Sequence, residues 1–236
     1  MANVDPQTIE DIQDAINTLV ANDSDTPEEG DEEWTTRLNL IWTVIRTWGT
    51  TKDVFFAELW KTYSSSPTTI SAATTYSLSG VTDYRFPGNK LRVTLNGEIK
   101  RINIVKTKDV EKYEEAGAQV AYITGNQKDG FVLNLTQVPT AGDGIYGGTF
   151  AFDYYKFPYK PTANSDKVEM SDPNFIVWKV AGIKSLLEGQ RNKFSVYDDE
   201  AADCMDNMVI MNDLTPDQGG DNVENTDALN GAVLGE

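Results

Sequence analysis

The segment Lys90–Val105, "KLRVTLNGEIKRINIV", decides the fold. Leu91, Val93 and Leu95 alternate with Arg92 and Thr94, the period of a strand with one buried face. Asn96-Gly97 then supplies the dipeptide best suited to the positive φ angles of a two-residue type I′ turn. Ile99 leads into Ile102 and Ile104 on the return. This hairpin signal marks its surroundings as β. Outward from it, "TTYSLS" (74–79), "AYITG" (121–125), "FVLNLTQV" (131–138) and "GTFAFDYYKF" (148–157) read as further short strands. "KDVEKYEEAG" (108–117) reads as one or two helical turns. The expectation for 51–171 is therefore an antiparallel β-domain of five to seven strands, a small barrel or a sandwich.

Within it, "PTAGDGIYGGTF" (139–150) contains Gly142, Gly144 and Gly147 in the spacing G-x-G-x-x-G. A dinucleotide-binding loop needs a strand before it and a helix after it. The residues that follow alternate like a strand, and no G-K-[ST] tripeptide offers a phosphate loop instead. The glycines read as a turn, and no cofactor is expected.

Both flanks are helical. Asp5-Pro6 looks like an N-cap with proline in the first turn, and Ile9, Ile12, Ile16 and Leu19 follow at helical spacing to about Ala21. After the acidic linker "NDSDTPEEGDEE" (22–33), a helix over 32–48 places Trp34, Leu38, Ile41, Trp42, Ile45 and Trp48 on one broad stripe. Beyond the β-region, Ser171-Asp172-Pro173 opens a helix to about 188 that is apolar nearly all round, with Phe175, Ile176, Val177, Trp178, Val180, Ala181, Ile183, Leu186 and Leu187. A last helix, about 193–212, carries Tyr197, Ala201, Met205 and Met208 on one stripe. The expected architecture is α+β. Residues 1–50 and 172–213 form a discontinuous helical bundle, the β-domain is inserted between them, and 214–236 form a flexible acidic tail.

Charge sharpens this picture. The formal net charge is −17, from 37 Asp and Glu against 20 Lys and Arg. Residues 1–33 hold eleven carboxylates and 212–236 hold six, with no Lys or Arg in either stretch. Those two ends carry seventeen of the acids, so the 20 left in 34–211 balance the 20 bases. A neutral body with two acidic ends fits either simple solvation or docking of an end on a basic partner surface.

The chain has no histidine, which removes the commonest general base and metal ligand, and with them every His-dependent triad. A single cysteine, Cys204, allows no internal disulfide and fits a reducing compartment. No apolar run is long enough to span a bilayer, and the first residues lack the pattern of a signal peptide. Asp199, Asp203 and Asp206 share a face of the last helix, with Asp198 and Glu200 nearby. They read as a solvated helix face; a cation site or a paired-carboxylate hydrolase through Asp199 and Asp203 is the weaker alternative. In the β-region Arg85, Lys90, Arg92, Lys100, Arg101, Lys106 and Lys108 face only Glu98 in the same stretch. They form either an ordinary solvated sheet face or a patch for an acidic partner or for the phosphates of passing DNA.

The order of elements resembles the head-to-tail adaptor (connector, head-completion) proteins of tailed bacteriophages over about Asp31 to Asp213. The resemblance rests on an aromatic helix preceding "FFAELWKTYSSS" (55–66) and on "TTYSLSGVTDYRF" (74–86), a degenerate form of a Leu-Pro-x-Asp-Phe-like strand and loop. It also rests on the series from Tyr122 to Glu188, where strands, a Y-x-x-x-P step at Tyr154–Pro158 and a D-P-x-F step at Asp172–Phe175 lead back to a long apolar helix.

The resemblance implies a structural protein of the virion neck and no enzyme. Made in the host cytoplasm, it would form a ring beneath the portal, commonly of twelve copies, extending the DNA channel and offering an attachment surface to tail or nozzle proteins. DNA would then be a non-specific passenger and no membrane would be involved. Subunit or portal contacts are expected at Trp34, Trp42, Trp48, Phe175 and Trp178, and, in the tail, at Leu229, Val233 and Leu234. The channel or partner patch is expected at Arg85, Lys90, Arg92, Lys100 and Arg101. The competing reading is a carbohydrate-binding module of a phage tail, with Tyr154, Tyr155, Phe157 and Tyr159 as an aromatic platform.

Overall fold

The computed structural model describes residues 8–20, 26–52 and 54–214. The expected tail from Leu214 onward, with Leu229, Val233 and Leu234, lies outside them except for Leu214 itself, as does the Asp5-Pro6 cap. The chain is a mixed α+β protein with antiparallel sheets, and it divides into two compact units. One takes the described parts of Met1–Leu59 and Phe157–Pro216, and the other holds Trp60–Lys156.

The first unit is helical. α1 (Ile9–Val20) buries Ile9, Ile12 and Ile16. It starts at a reciprocal cap: the Thr8 hydroxyl accepts from the Asp11 amide at 3.2 Å, and Asp11 accepts from the Thr8 amide at 2.9 Å. That box caps the first described turn at Thr8. α2 (Glu32–Gly49) buries Trp34, Leu38, Ile41, Val44, Ile45 and Trp48. α4 (Asn174–Leu187) begins where the Asp172 carboxylate accepts from the Asn174 amide, and α5 (Arg191–Leu214) follows after Gly189 at φ 78°. α4 packs against α1, α2 and α5. An apolar helix must be covered on several sides, and here both ends of the chain supply the cover.

The boundaries differ from the expected 51 and 171. The unit border falls at 59/60 and 156/157, because Phe157–Ser171 is tied into the helical unit. The Ile9 and Glu10 amides donate to the carbonyls of Asp166 and Asn164, Thr8 bridges Lys167, and Trp34 Nε1 donates to Asn164 Oδ1 at 2.7 Å. On the other side Phe56 stacks on Trp48, and Asn212 of α5 binds the backbone at Phe55 and Ala57.

Among the described residues the second unit contains seven strands. β1 (Trp60–Thr69), β7 (Thr149–Lys156), β3 (Tyr84–Leu95) and β4 (Glu98–Asn103) form one sheet in that order, with antiparallel neighbours throughout. β2 (Thr75–Ser77), β6 (Gly130–Leu135) and β5 (Ala121–Asn126) form the second. Thr107–Asp109 and α3 (Val110–Glu115) make the expected short helical turn. A barrel is not formed: the described strands make two separate sheets, touching through one parallel bridge, Ile104 to Ala121. Both contribute to a single core that includes Leu91, Val93, Leu133, Phe150, Phe152 and Tyr154. The hairpin forms as its sequence predicts, with Leu95 opposite Glu98, Asn96 at φ 52° and Gly97 at φ 85°.

The glycine-rich loop closes the same core. Ile145 is buried, Ile70 and Gly147–Gly148 exchange backbone hydrogen bonds, and strand β7 follows directly. A Cβ on Gly148 would lie 2.7 Å from Val93 Cγ1 and 2.9 Å from the Thr94 carbonyl oxygen. Gly148→Ala is therefore expected to destabilise the protein by about 1–3 kcal/mol, because the contact is with a buried side chain and backbone. Urea unfolding checks this; an unchanged midpoint would show that the loop relaxes freely.

Candidate interaction surfaces

The expected contact residues separate by burial. Trp34, Trp48 and Phe175 are buried within their own chain, so they are core anchors and not surfaces for a neighbour. The aromatic stripe on α2 is filled by α4 and by the segment that carries Asn164. Trp42 and Trp178 are half-buried, and Trp178 lies against Tyr197 of α5. The exposed large hydrophobics of the helical unit are others: Phe55, Tyr159, Leu186, Leu187, Val196, Ile210 and Met211. Leu187, 77% exposed, ends a helix whose apolar pattern predicts burial along its whole length. Coverage stops after Ser185, two residues before the helix does, which no periodicity reveals.

The basic cluster also divides. β3 and β4 place Arg92 opposite Arg101, and β7 brings Asp153 alongside. Arg92 makes a bidentate ion pair with Asp153, whose other donor is the Thr62 hydroxyl at 2.6 Å. Burial alone would raise the Asp153 carboxyl; the Arg92 guanidinium and the Thr62 hydroxyl outweigh it and hold it below the usual range. Lys90 donates to Asn103 at 2.8 Å, and Arg85 lies over the Phe86 ring at 5.2 Å. Lys100 donates to the Asp143 carbonyl of the glycine-rich loop. Arg92 thus serves the sheet itself, while Lys100 and Arg101 stand exposed at the hairpin end. The partner that neutralises Arg92 sits 61 residues away in sequence, beyond the reach of local pattern reading.

Beside the hairpin lies a second network. Asp83 accepts from Lys61 Nζ and from the Tyr154 hydroxyl, each at 2.8 Å. Burial would raise Asp83, but these two donors keep it below the ordinary carboxylate value. Tyr154 itself is in the core and its hydroxyl is pushed well up, by burial first and then by Asp83. The aromatic platform therefore does not assemble as expected: Tyr154 points into the core, Tyr155 lies against Trp60, and Phe157 and Tyr159 belong to the helical unit.

On α5, Asp198 pairs with Lys179 of α4, while Asp199, Asp203 and Asp206 are exposed. Among the described residues no group of His, Cys, Asp and Glu is arranged to hold a metal ion. Burial, Asp172 and the nearby Glu200 and Asp203 push the Cys204 thiol up to about 12, so it is a neutral thiol at pH 7. No described helix is long and apolar enough to cross a membrane. Compared with known protein families and with curated proteins, the chain matches none.

The depressed carboxyls carry a pH dependence of definite sign. A folded-state value below the unfolded one stabilises above the ordinary Asp value of about 4, and that stabilisation is lost as pH falls through the lower, folded-state value. Asp153→Asn is expected to lower the unfolding midpoint at pH 7 and to flatten its decline below about pH 5. Thermal unfolding as a function of pH tests this; parallel curves for the variant and the parent would exclude a role for the Arg92 pair.

Proposed function

We propose that this chain is a structural protein of the tailed-phage virion, a head-to-tail adaptor in the neck. It joins a ring, commonly of twelve copies, beneath the portal, extends the DNA channel and gives tail or nozzle proteins a surface to bind. The observation that carries the reading is the division of the chain: a helical unit built from both ends, with a 60–156 antiparallel β-unit inserted between them. This is the order on which the adaptor resemblance rests. On the same reading the helical unit is a bundle and the acidic extension 214–236 reaches toward the portal.

Two further observations support it. The helical unit leaves Leu186, Leu187 and Val196 exposed, apolar surface of the kind a ring subunit covers with its neighbours. The carboxylates of α5 are solvated or paired with lysine and the lone cysteine is a neutral thiol, which accords with a structural role.

The test is mass measurement of the purified protein with and without the portal of its phage. A ring bound to the portal is expected. A protein that stays monomeric and never binds the portal overturns the proposal. Leu187→Asp is expected to weaken ring formation about tenfold or more while leaving circular dichroism unchanged, as loss of an interface anchor would.

A further inference from the structure

We infer that the outer edge of β4 is a docking edge for the acidic C-terminal segment of the same chain, residues 215–236. Among the described strands β4 is the last of the four-stranded sheet and pairs only with β3. Its side chains from Glu98 to Arg101 are all exposed, including Ile99 at 56%. No backbone hydrogen bond reaches the outer edge of Glu98–Asn103 from another described residue. The other edges are less open: β2 has three residues, β1 shifts register between Ser64 and Thr69 around a proline at 67, and β5 is bridged at Ala121.

Around the β4 edge the bases outnumber the acids, four against Glu98 and Asp109. Lys100 and Arg101 lie on the strand, and Lys106 and Lys108 follow it, all four exposed. Such charges repel a second copy of the same edge and so disfavour edge-to-edge pairing of two β4 strands. They attract an extended acidic segment, which can add to the sheet through main-chain hydrogen bonds.

The segment 215–236 has that chemistry. Its 22 residues hold Asp217, Asp221, Glu224, Asp227 and Glu236 and no base. If the segment adds as a strand, Asp227, Leu229 and Val233 would share one face, the face on which β4 carries Ile99 and Arg101, so that the apolar pair would lie beside Ile99 and Asp227 toward Arg101. Fully extended, the 15 residues that follow Leu214 as far as Leu229 reach roughly 50 Å. The inference stands apart from the adaptor reading, since it concerns the isolated chain.

Amide hydrogen exchange on the full chain tests it. The amides of Glu98–Asn103 not bonded to β3 are expected to exchange about tenfold or more slowly in the parent than in the Leu229→Asp/Val233→Asp double variant. Arg101→Glu is expected to remove the same protection, and so is high salt, which screens exposed charges. Protection in the parent should be independent of protein concentration. Equal exchange in parent and variants overturns the inference. Protection that rises with concentration overturns it too, by assigning the occupant to a second copy.

Discussion

The helical unit depends on one demand: α4 is apolar on nearly every side and has to be covered on several. No neighbour in sequence can do that alone. α5 covers one side as the following arm of a hairpin, and α1 and α2 cover others from the opposite end of the chain. Once both ends are committed to the same core, the residues between them must leave and return. A β-unit with its own core, holding residues 60–156, satisfies that condition because its edges of chain need only be brought to one unit border.

Polar contacts then set where that border falls. Phe157–Ser171 has few apolar residues and no strong period, so nothing in its pattern says which unit it joins. Its assignment comes from Asn164 and Asp166, which satisfy backbone groups at the start of α1 and the indole of Trp34. The start of α1 follows the same logic: the Thr8–Asp11 box answers the orphan amides that Asp5-Pro6 seemed placed to serve. β1 was the least legible strand. "WKTYSSSPTT" is rich in serine and threonine and includes a proline, which an edge strand tolerates and a central one does not.

What local pattern encodes was legible. The β3–β4 hairpin has its register fixed by Asn96-Gly97, and the strand after Gly147 removes the nucleotide-loop reading of the glycines. Surfaces were less legible, because a sequence shows that a residue is apolar or charged and not what covers it. Trp34 and Trp48 carry the composition of interface anchors and are core, whereas Leu187 carries the composition of core and is exposed. Arg92 reads as part of a basic patch, but Asp153 neutralises it, and Lys100 reaches the Asp143 carbonyl, so among the described residues Arg101 is the hairpin's exposed base outside such contacts.

The central claim is that those surfaces serve assembly at a portal. Electron-microscope class averages of portal rings incubated with this protein test it most directly. The adaptor reading predicts an added collar on one face of the portal, with regular rotational symmetry about the channel. Portal rings unchanged in outline at saturating protein would contradict it.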